Sequence, residues 1–331
     1  MKRMGEWAQR GRALNVSTIS ALLPLALLVS ALLSGVAQEP PAPSAAKISV
    51  TTNLVVLPAS VTDSDGKFVS GLRRENFRVY EDGTLQDVSL FVEEDTPVTV
   101  GLVVDHSRSM GNKLLPVSEA VAQFANSSNP DDEMFVVDFS DGVSIESLDG
   151  KPFTNDHAKL QKALLAVSAR GRTALYDAVA KGLKHLELGS REKKALVIVS
   201  DGGDNASRLK FSDVLLLARQ AHAVIYSIAL VTDHPTEEEN PHLLERLCKE
   251  TGGIAFIAKP DQNISSIATA IARDLREQYT VGYAPRENLK GNAFRKISVR
   301  VDAPRLRGIR IRTRTGYSSV PEAAKTNGEA P

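Results

Sequence analysis

Three oxygen-bearing side chains, Asp105, Ser107 and Ser109, follow directly after a near-continuous apolar run from Val98 to Val104. Such a run, rich in β-branched residues and bounded by polar ones, is typical of a strand buried on both faces of a parallel sheet. A carboxylate and two hydroxyls at alternating positions after that strand point into the crevice where open α/β sheets bind ligands. Three oxygen ligands suit a hard divalent cation rather than zinc or copper, so the spacing indicates a cation site.

The same five residues have a simpler interpretation, in which Asp105 caps the following helix and the serines are ordinary loop residues. A short motif is only a hypothesis, and taken alone this one favours the capping role. Two distant segments favour the cation site over the capping role. Thr173 stands in a loop that opens a helix, and Asp201 ends a second apolar strand that begins at Leu196.

Together, the Asp-x-Ser-x-Ser motif at Asp105, the loop Thr173 and the strand-end Asp201 resemble the metal-ion-dependent adhesion site of von Willebrand factor type A domains. The three pieces occur in the family's order and in matching local contexts. The resemblance covers about residues 97–272. It implies an α/β fold with a doubly wound, mostly parallel sheet and helices on both faces. The alternation of apolar strand patterns and helical patterns between Val98 and Gln278 favours the same fold.

The resemblance also implies a metal-ligand set, which consists of Asp105, Ser107, Ser109, Thr173 and Asp201. The two serines would bind the metal directly, and the threonine would do so in a partner-bound form. The two aspartates would hold metal-bound waters or switch to direct contact. Magnesium suits a site that keeps waters, with manganese or calcium as alternatives. The family implies that a protein partner supplies an Asp or Glu carboxylate to the open position on the metal.

One position departs from this pattern, because Arg108 stands where close relatives usually carry a small residue. Its positive charge could pair with an incoming carboxylate, or the side chain could simply point outward. It could also weaken metal binding by repulsion. The sequence leaves these three alternatives open.

A wider resemblance extends over most of the chain. It rests on Val79 to Gly83 (Val-Tyr-Glu-Asp-Gly), Tyr279 to Tyr283 (Tyr-Thr-Val-Gly-Tyr) and Arg312 to Tyr317 (Arg-Thr-Arg-Thr-Gly-Tyr). With these motifs around the central domain, the layout resembles the exported VWFA-related proteins of acidobacteria.

The N-terminal segment 1–37 has the features of a signal peptide. A basic beginning with Lys2 and Arg3 precedes an uncharged apolar stretch, and small residues stand at Gly35 to Ala37. An uncleaved membrane anchor is the alternative, because the uncharged stretch is long enough to span a bilayer. We expect cleavage after Ala37, a Pro/Ala-rich linker over 38–47, and export to the periplasm, the cell envelope or the medium.

Composition narrows the functional classes. The 331 residues include 40 basic and 40 acidic side chains, so nothing suggests a nucleic-acid binder driven by phosphate contacts. A single cysteine excludes an internal disulfide and a multi-cysteine zinc site. This residue, Cys248, lies in a helical pattern, where we expect it to be a small packing residue.

Short alternating segments flank the predicted α/β domain (97–275) on both sides. We expect the strands of 48–96 to pair with those of 276–318 in a small sandwich-like β-module, followed by a disordered tail, 319–331. In detail, the pattern predicts strands over 48–57 and 59–63, and another over 308–314 whose arginines form a solvated face.

Three functions remain. The first is an exported, non-enzymatic adhesion protein that recognises a protein partner through the metal site. The second is a structural or assembly protein of the envelope with a vestigial metal site. The third is a hydrolase, suggested by the neighbours Asp105, His106 and Ser107. Adjacent residues on an extended loop point apart and no Gly-x-Ser-x-Gly motif is present, so the hydrolase is the least favoured.

Overall fold

A computed structural model of the chain describes residues 54–93, 95–146, 150–232, 239–285, 294–303 and 307–318. The predicted signal peptide (1–37), linker (38–47) and tail (319–331) lie outside these residues. All described residues belong to one compact unit, 52–331. Among them, no helix combines the length and apolar character needed to cross a membrane.

Four strands open the described chain: β1 (Val55–Thr62), β2 (Phe77–Glu81), β3 (Thr84–Gln86) and β4 (Val88–Val92). The prediction of two strands over 48–57 and 59–63 is wrong, since 55–62 form one strand and 48–53 lie outside the described residues. Pro58 does not interrupt β1, because that half of the strand pairs on one side only and a missing N–H is tolerated at an edge.

Strands and helices then alternate through the α/β part. Its elements are β5 (Val98–Asp105), α1 (Leu114–Ser127), β6 (Glu133–Phe139), β7 (Val143–Ile145), α2 (His157–Leu165), α3 (Leu175–Leu186), β8 (Lys193–Ser200), α4 (Phe211–Gln220), β9 (Val224–Leu230), α5 (Pro241–Thr251), β10 (Ala255–Ala258) and α6 (Ile264–Glu277). The six strands form one sheet in the order β10-β9-β8-β5-β6-β7, parallel except for β7. Helices α1, α2 and α6 cover one face and α3, α4 and α5 the other. The predicted doubly wound, mostly parallel sheet is confirmed.

The topology places β5 at the centre of this sheet. The chain leaves β5 for β6 on one side and returns to β8 on the other, so the strand order reverses between β5 and β8. Ligands bind at such a reversal, outside the carboxyl ends of the strands. All eight residues of β5 are buried, which fixes the position of the loop that follows Asp105.

The remaining strands are β11 (Tyr279–Tyr283), β12 (Phe294–Val301), β13 (Arg310–Arg312) and β14 (Gly316–Ser318). They join the first four strands in two four-stranded sheets, β13-β1-β11-β4 and β14-β12-β2-β3. Side chains from both sheets, among them Leu57, Val79 and Val281, share one buried core. Early and late strands therefore form one β-sandwich, which agrees with the pairing expected from the sequence.

The interpretation of the C-terminal arginines as a solvated face is wrong for two of them. Among the arginines of 308–314 only Arg310 is exposed, whereas Arg314 is 3% exposed and Arg312 places its Nη2 2.8 and 2.6 Å from the two carboxylate oxygens of Asp274. Asp274 belongs to α6, so the α/β part covers this face of the strand. Alternation in a sequence shows that a face is polar, but not that another part of the chain lies on it.

Candidate functional site

The site begins at the carboxyl end of β5, where Asp105 is fully buried. Its Oδ1 accepts a hydrogen bond of 2.8 Å from the backbone N–H of Ser107. Its Oδ2 accepts one of 2.7 Å from the hydroxyl of Ser200, the last residue of the neighbouring strand β8. One oxygen is thus held by the loop that follows β5, and the other by the neighbouring strand β8.

Asp201 lies at the carboxyl end of β8 and is connected to both serines of the motif. The Ser109 hydroxyl donates to Asp201 Oδ2 at 2.7 Å, and Ser107 Oγ lies 3.1 Å from Ser109 Oγ. The second carboxylate oxygen of Asp201 accepts the backbone N–H of Gly203 at 3.1 Å. The structure therefore joins Ser107, Ser109 and Asp201 in one network of oxygen atoms, next to Asp105.

Hydrogen bonds of its backbone hold Thr173 in a loop that lies next to the loop after β5. Its N–H donates to the side-chain oxygen of Asn205 at 2.9 Å, and its carbonyl accepts the N–H groups of Asn205 and Ala206. The threonine loop also joins the β5 loop, because Arg170 N–H donates to the His106 carbonyl at 2.8 Å. Within the described residues, Thr173 shares no hydrogen bond with the other four predicted ligands, so its loop adjoins the network without belonging to it.

Burial sets the electrostatics of Asp105. The pKa of its carboxyl group is raised to about 6, chiefly because the group is removed from water. Hydrogen bonds from Ser107 and Ser200 lower this pKa, whereas the nearby charge of Asp201 raises it. Two carboxylates held together in a buried site repel each other, and a bound cation would relieve that repulsion.

His106 takes no part in this network. Its Nδ1 lies 2.8 Å from Asp138 Oδ1, and its Nε2 lies 3.2 Å from the Leu164 carbonyl oxygen. Burial opposes protonation of the imidazole, but the Asp138 carboxylate outweighs it and the pKa of His106 is raised. Both ring nitrogens have partners other than Ser107, so the adjacent Asp105, His106 and Ser107 do not form a Ser-His-Asp triad.

Sequence analysis missed three residues that shape the site. Ser200 orients Asp105, Asn205 fixes the backbone of Thr173, and Asp141 holds the loop before Thr173. Asp141 Oδ1 accepts the backbone N–H of Arg172 at 3.1 Å and the Nε of the same residue at 3.2 Å. The sequence offers a signal for two of them, since Ser200 and Asp141 each follow an apolar segment that is typical of a buried strand.

The segment of the chain that contains the candidate site matches a known protein family. Residues 100–203, from β5 to just beyond Asp201, match the family model described as von Willebrand factor type A domain. These residues of the α/β part match the von Willebrand factor type A domain family. The matched segment contains all five predicted ligands, whereas the β-sandwich strands lie outside it.

Several solved structures are similar to the chain at low identity. A von Willebrand factor type A protein from Catenulispora acidiphila is 12% identical, with a TM-score of 0.48 over 85% of this chain and 77% of that chain. An aerotolerance-related membrane protein from Bacteroides fragilis NCTC 9343 is 16% identical, with a TM-score of 0.45 over 54% and 98%. The pilus adhesin SpaC from Lactobacillus rhamnosus GG is 10% identical, with a TM-score of 0.44 over 74% and 48%. At these scores the likenesses carry no argument about function. No curated protein sequence matches the chain.

The donor set of this von Willebrand factor A domain fits a hard cation. Within the described residues, no three His, Cys, Asp or Glu side chains are grouped closely enough to hold a metal ion. A metal would therefore depend on two carboxylates, Asp105 and Asp201, together with the hydroxyls of Ser107 and Ser109. Such an all-oxygen set suits magnesium.

Proposed function

We propose that this chain is an exported, non-enzymatic binding protein that recognises a protein partner through a metal held at the carboxyl end of β5. The observation that supports this most is the set of converging oxygens of Ser107, Ser109 and Asp201, with the buried Asp105 beside them. These are four of the five residues that the family resemblance implies as metal ligands.

Each residue has a distinct part in this proposal. Asp105 and Asp201 supply two negative charges that balance a divalent cation, while Ser107 and Ser109 turn their lone pairs to it. Ser200 and the Ser107 N–H keep Asp105 in one orientation, so that little rearrangement accompanies binding. Bound magnesium would supply the positive charge that attracts a carboxylate from the partner. Thr173 lies in the loop placed to join the metal when the partner binds.

A second function has its own support. In the structure the Ser109 hydroxyl already satisfies Asp201, and the Ser200 hydroxyl already satisfies Asp105. A site whose carboxylates find partners within the chain can persist without a metal. This favours, as the alternative, a structural or assembly protein of the cell envelope whose metal site is vestigial.

A pull-down distinguishes the two functions. The full chain would be immobilised and exposed to envelope extract of its own source, in magnesium or in EDTA. The test variant is Asp105→Ala/Asp201→Ala, and the matched control is Asp131→Ala, which removes an exposed carboxylate from the loop before β6.

We expect proteins that are retained by the wild type and by Asp131→Ala in magnesium, and lost in EDTA or with the double variant. Equal retention by the wild type in magnesium, the wild type in EDTA, the double variant and Asp131→Ala would contradict metal-dependent recognition. It would support the structural alternative. Conversion of a retained protein into a new product would instead indicate an enzyme.

A further inference from the structure

Three exposed arginines, Arg108, Arg170 and Arg172, lie on the two loops that border the candidate metal site. Two backbone hydrogen bonds hold these loops side by side. Arg170 N–H donates to the His106 carbonyl at 2.8 Å, and Arg108 N–H donates to the Gly171 carbonyl at 3.3 Å. Because Arg108 stands between Ser107 and Ser109, this places the arginines directly beside the position at which a partner would approach the metal. We call this group the arginine rim.

One member of the arginine rim is already paired within the chain. Arg172 donates to Asp141 through its backbone N–H and its Nε, at 3.1 and 3.2 Å. These hydrogen bonds, with a smaller contribution from the charges of Arg172 and Arg108, hold the pKa of Asp141 below its ordinary value. The negative charge of Asp141 therefore already interacts with Arg172 of the arginine rim.

Arg108 and Arg170 have no such partner. Among the described residues, no carboxylate oxygen lies within 4.0 Å of either guanidinium group. A divalent metal balances Asp105 and Asp201, and Asp141 balances one arginine. The metal-loaded site is thus bordered by two positive charges, those of Arg108 and Arg170, that form no ion pair with a carboxylate of the described residues.

We infer, on the basis of the proposed function, that the partner's binding segment is acidic. Beyond the carboxylate that completes the metal's coordination, it offers at least one more carboxylate to Arg108 or Arg170. Arginine suits this task, because its planar guanidinium can donate two parallel hydrogen bonds to a carboxylate. Such charges at the edge of an interface favour encounter with an acidic partner and select against basic ones.

Two synthetic peptides of equal length test this inference on the full chain. One carries a single Asp in a Gly/Ser background, and the other carries that Asp followed by two Glu. Binding is measured by fluorescence anisotropy in magnesium and in EDTA. The test variant is Arg108→Gln/Arg170→Gln, and the control is Arg310→Gln, which removes an exposed arginine from β13 in the β-sandwich.

In magnesium we expect the triacidic peptide to bind the wild type about fivefold or more tightly than the monoacidic one, which is the order of magnitude for two exposed ion pairs. This preference should disappear in Arg108→Gln/Arg170→Gln, remain in Arg310→Gln, and shrink as salt is added. Equal binding of the two peptides to the wild type, or a preference that survives in the double variant, would overturn the inference alone. Failure of both peptides to bind in magnesium would overturn the proposed function and the inference with it.

Discussion

At Asp105, burial and negative charge oppose each other. Its carboxyl group is fully buried, and this raises its pKa to about 6. Two hydrogen bonds, from Ser107 and Ser200, favour the charged carboxylate and oppose that rise. A structural aspartate with only a capping role would not need a second carboxylate, Asp201, as its neighbour. The arrangement is understandable if a cation belongs between them.

The motifs and the family resemblance predict Asp105, Ser107, Ser109 and Asp201 as metal ligands, and that role stays a prediction. The structure places these four residues at one edge of the sheet, because parallel strands have their carboxyl ends at the same edge. Neither the motifs nor the resemblance predicted Ser200, Asn205 or Asp141, whose roles depend on which loop lies against which. The side chain of Asn205, for instance, meets Thr173 across 32 positions of sequence.

Gly171 is the glycine on which the threonine loop depends. Its φ is +75°, in the region that disfavours other residues, and a Cβ there would overlap the Asp141 carboxylate. We predict that Gly171→Ala lowers the free energy of unfolding by about 1–3 kcal/mol, mainly through the backbone strain. Chemical denaturation measures this.

Gly142→Ala is the matched control, since a Cβ at that position meets no atom within 4 Å and its backbone carries no such strain. Equal stability of the two alanine variants would show that the loop does not need the conformation described here.

At the scale of elements, the long segments carry a clear pattern in the sequence, whereas most of the three-residue strands do not. The six helices and the strands β5, β6, β8 and β9 follow from apolar runs and helical spacing. Strands β3, β7, β13 and β14 have three residues each, too few for a periodic pattern to be distinguished from a loop. Their positions are set by the neighbouring strands with which they pair.

The loop before β6 contains a buried carboxylate that ties together the beginnings of two strands. Asp132 accepts the backbone N–H of Val98 at 2.7 Å, and burial raises the pKa of its carboxyl group to about 6 despite that bond. The charges that act on it are Asp95, which raises its pKa, and Arg191, which lowers it. Lys193 also lies close enough to be influenced by Asp132.

Since the pKa of Asp132 is higher in the folded state than the 3.8 of an ordinary aspartate, the folded state binds more protons between these values. Its contribution to stability is therefore present below pH 4 and is lost as the pH rises to about 6. We predict that Asp132→Asn removes this share, on the order of 2 kcal/mol, from the difference in unfolding free energy between pH 4 and pH 7. Urea denaturation across that range measures it, with the exposed neighbour variant Asp131→Asn as control. Identical pH profiles for Asp132→Asn and wild type would be inconsistent with the prediction.

At the scale of the whole molecule, the β-sandwich and the von Willebrand factor A domain are joined by partly buried polar contacts. Arg312 of β13 donates to both carboxylate oxygens of Asp274, to Ser60 Oγ at 2.9 Å and to the Gly252 carbonyl. Thr315 donates to Glu250 at 2.8 Å. The motif Arg312 to Tyr317, which sequence analysis singled out without a function, thus lies at the junction of the two parts.

We predict that Arg312→Met lowers the free energy of unfolding by about 2–3 kcal/mol, because Asp274 would be left partly buried without its cation. Asp274→Asn in the same chain should recover part of the loss, since the neutral amide no longer needs a counter-charge. Arg310→Met, two residues away and exposed, should change stability by no more than about 0.5 kcal/mol. A loss as small in Arg312→Met as in Arg310→Met would show that the junction contributes little.

Metal binding itself is the most direct test of the account. Isothermal titration of the full chain with magnesium should give a saturable signal for one ion per chain, and Asp105→Asn/Asp201→Asn should abolish it while leaving the circular dichroism spectrum unchanged. Asp131→Asn/Asp213→Asn removes two charges outside the site and should bind like the wild type. No saturable signal in the wild type, or an equal one in Asp105→Asn/Asp201→Asn, would contradict a metal-dependent site at the carboxyl end of β5.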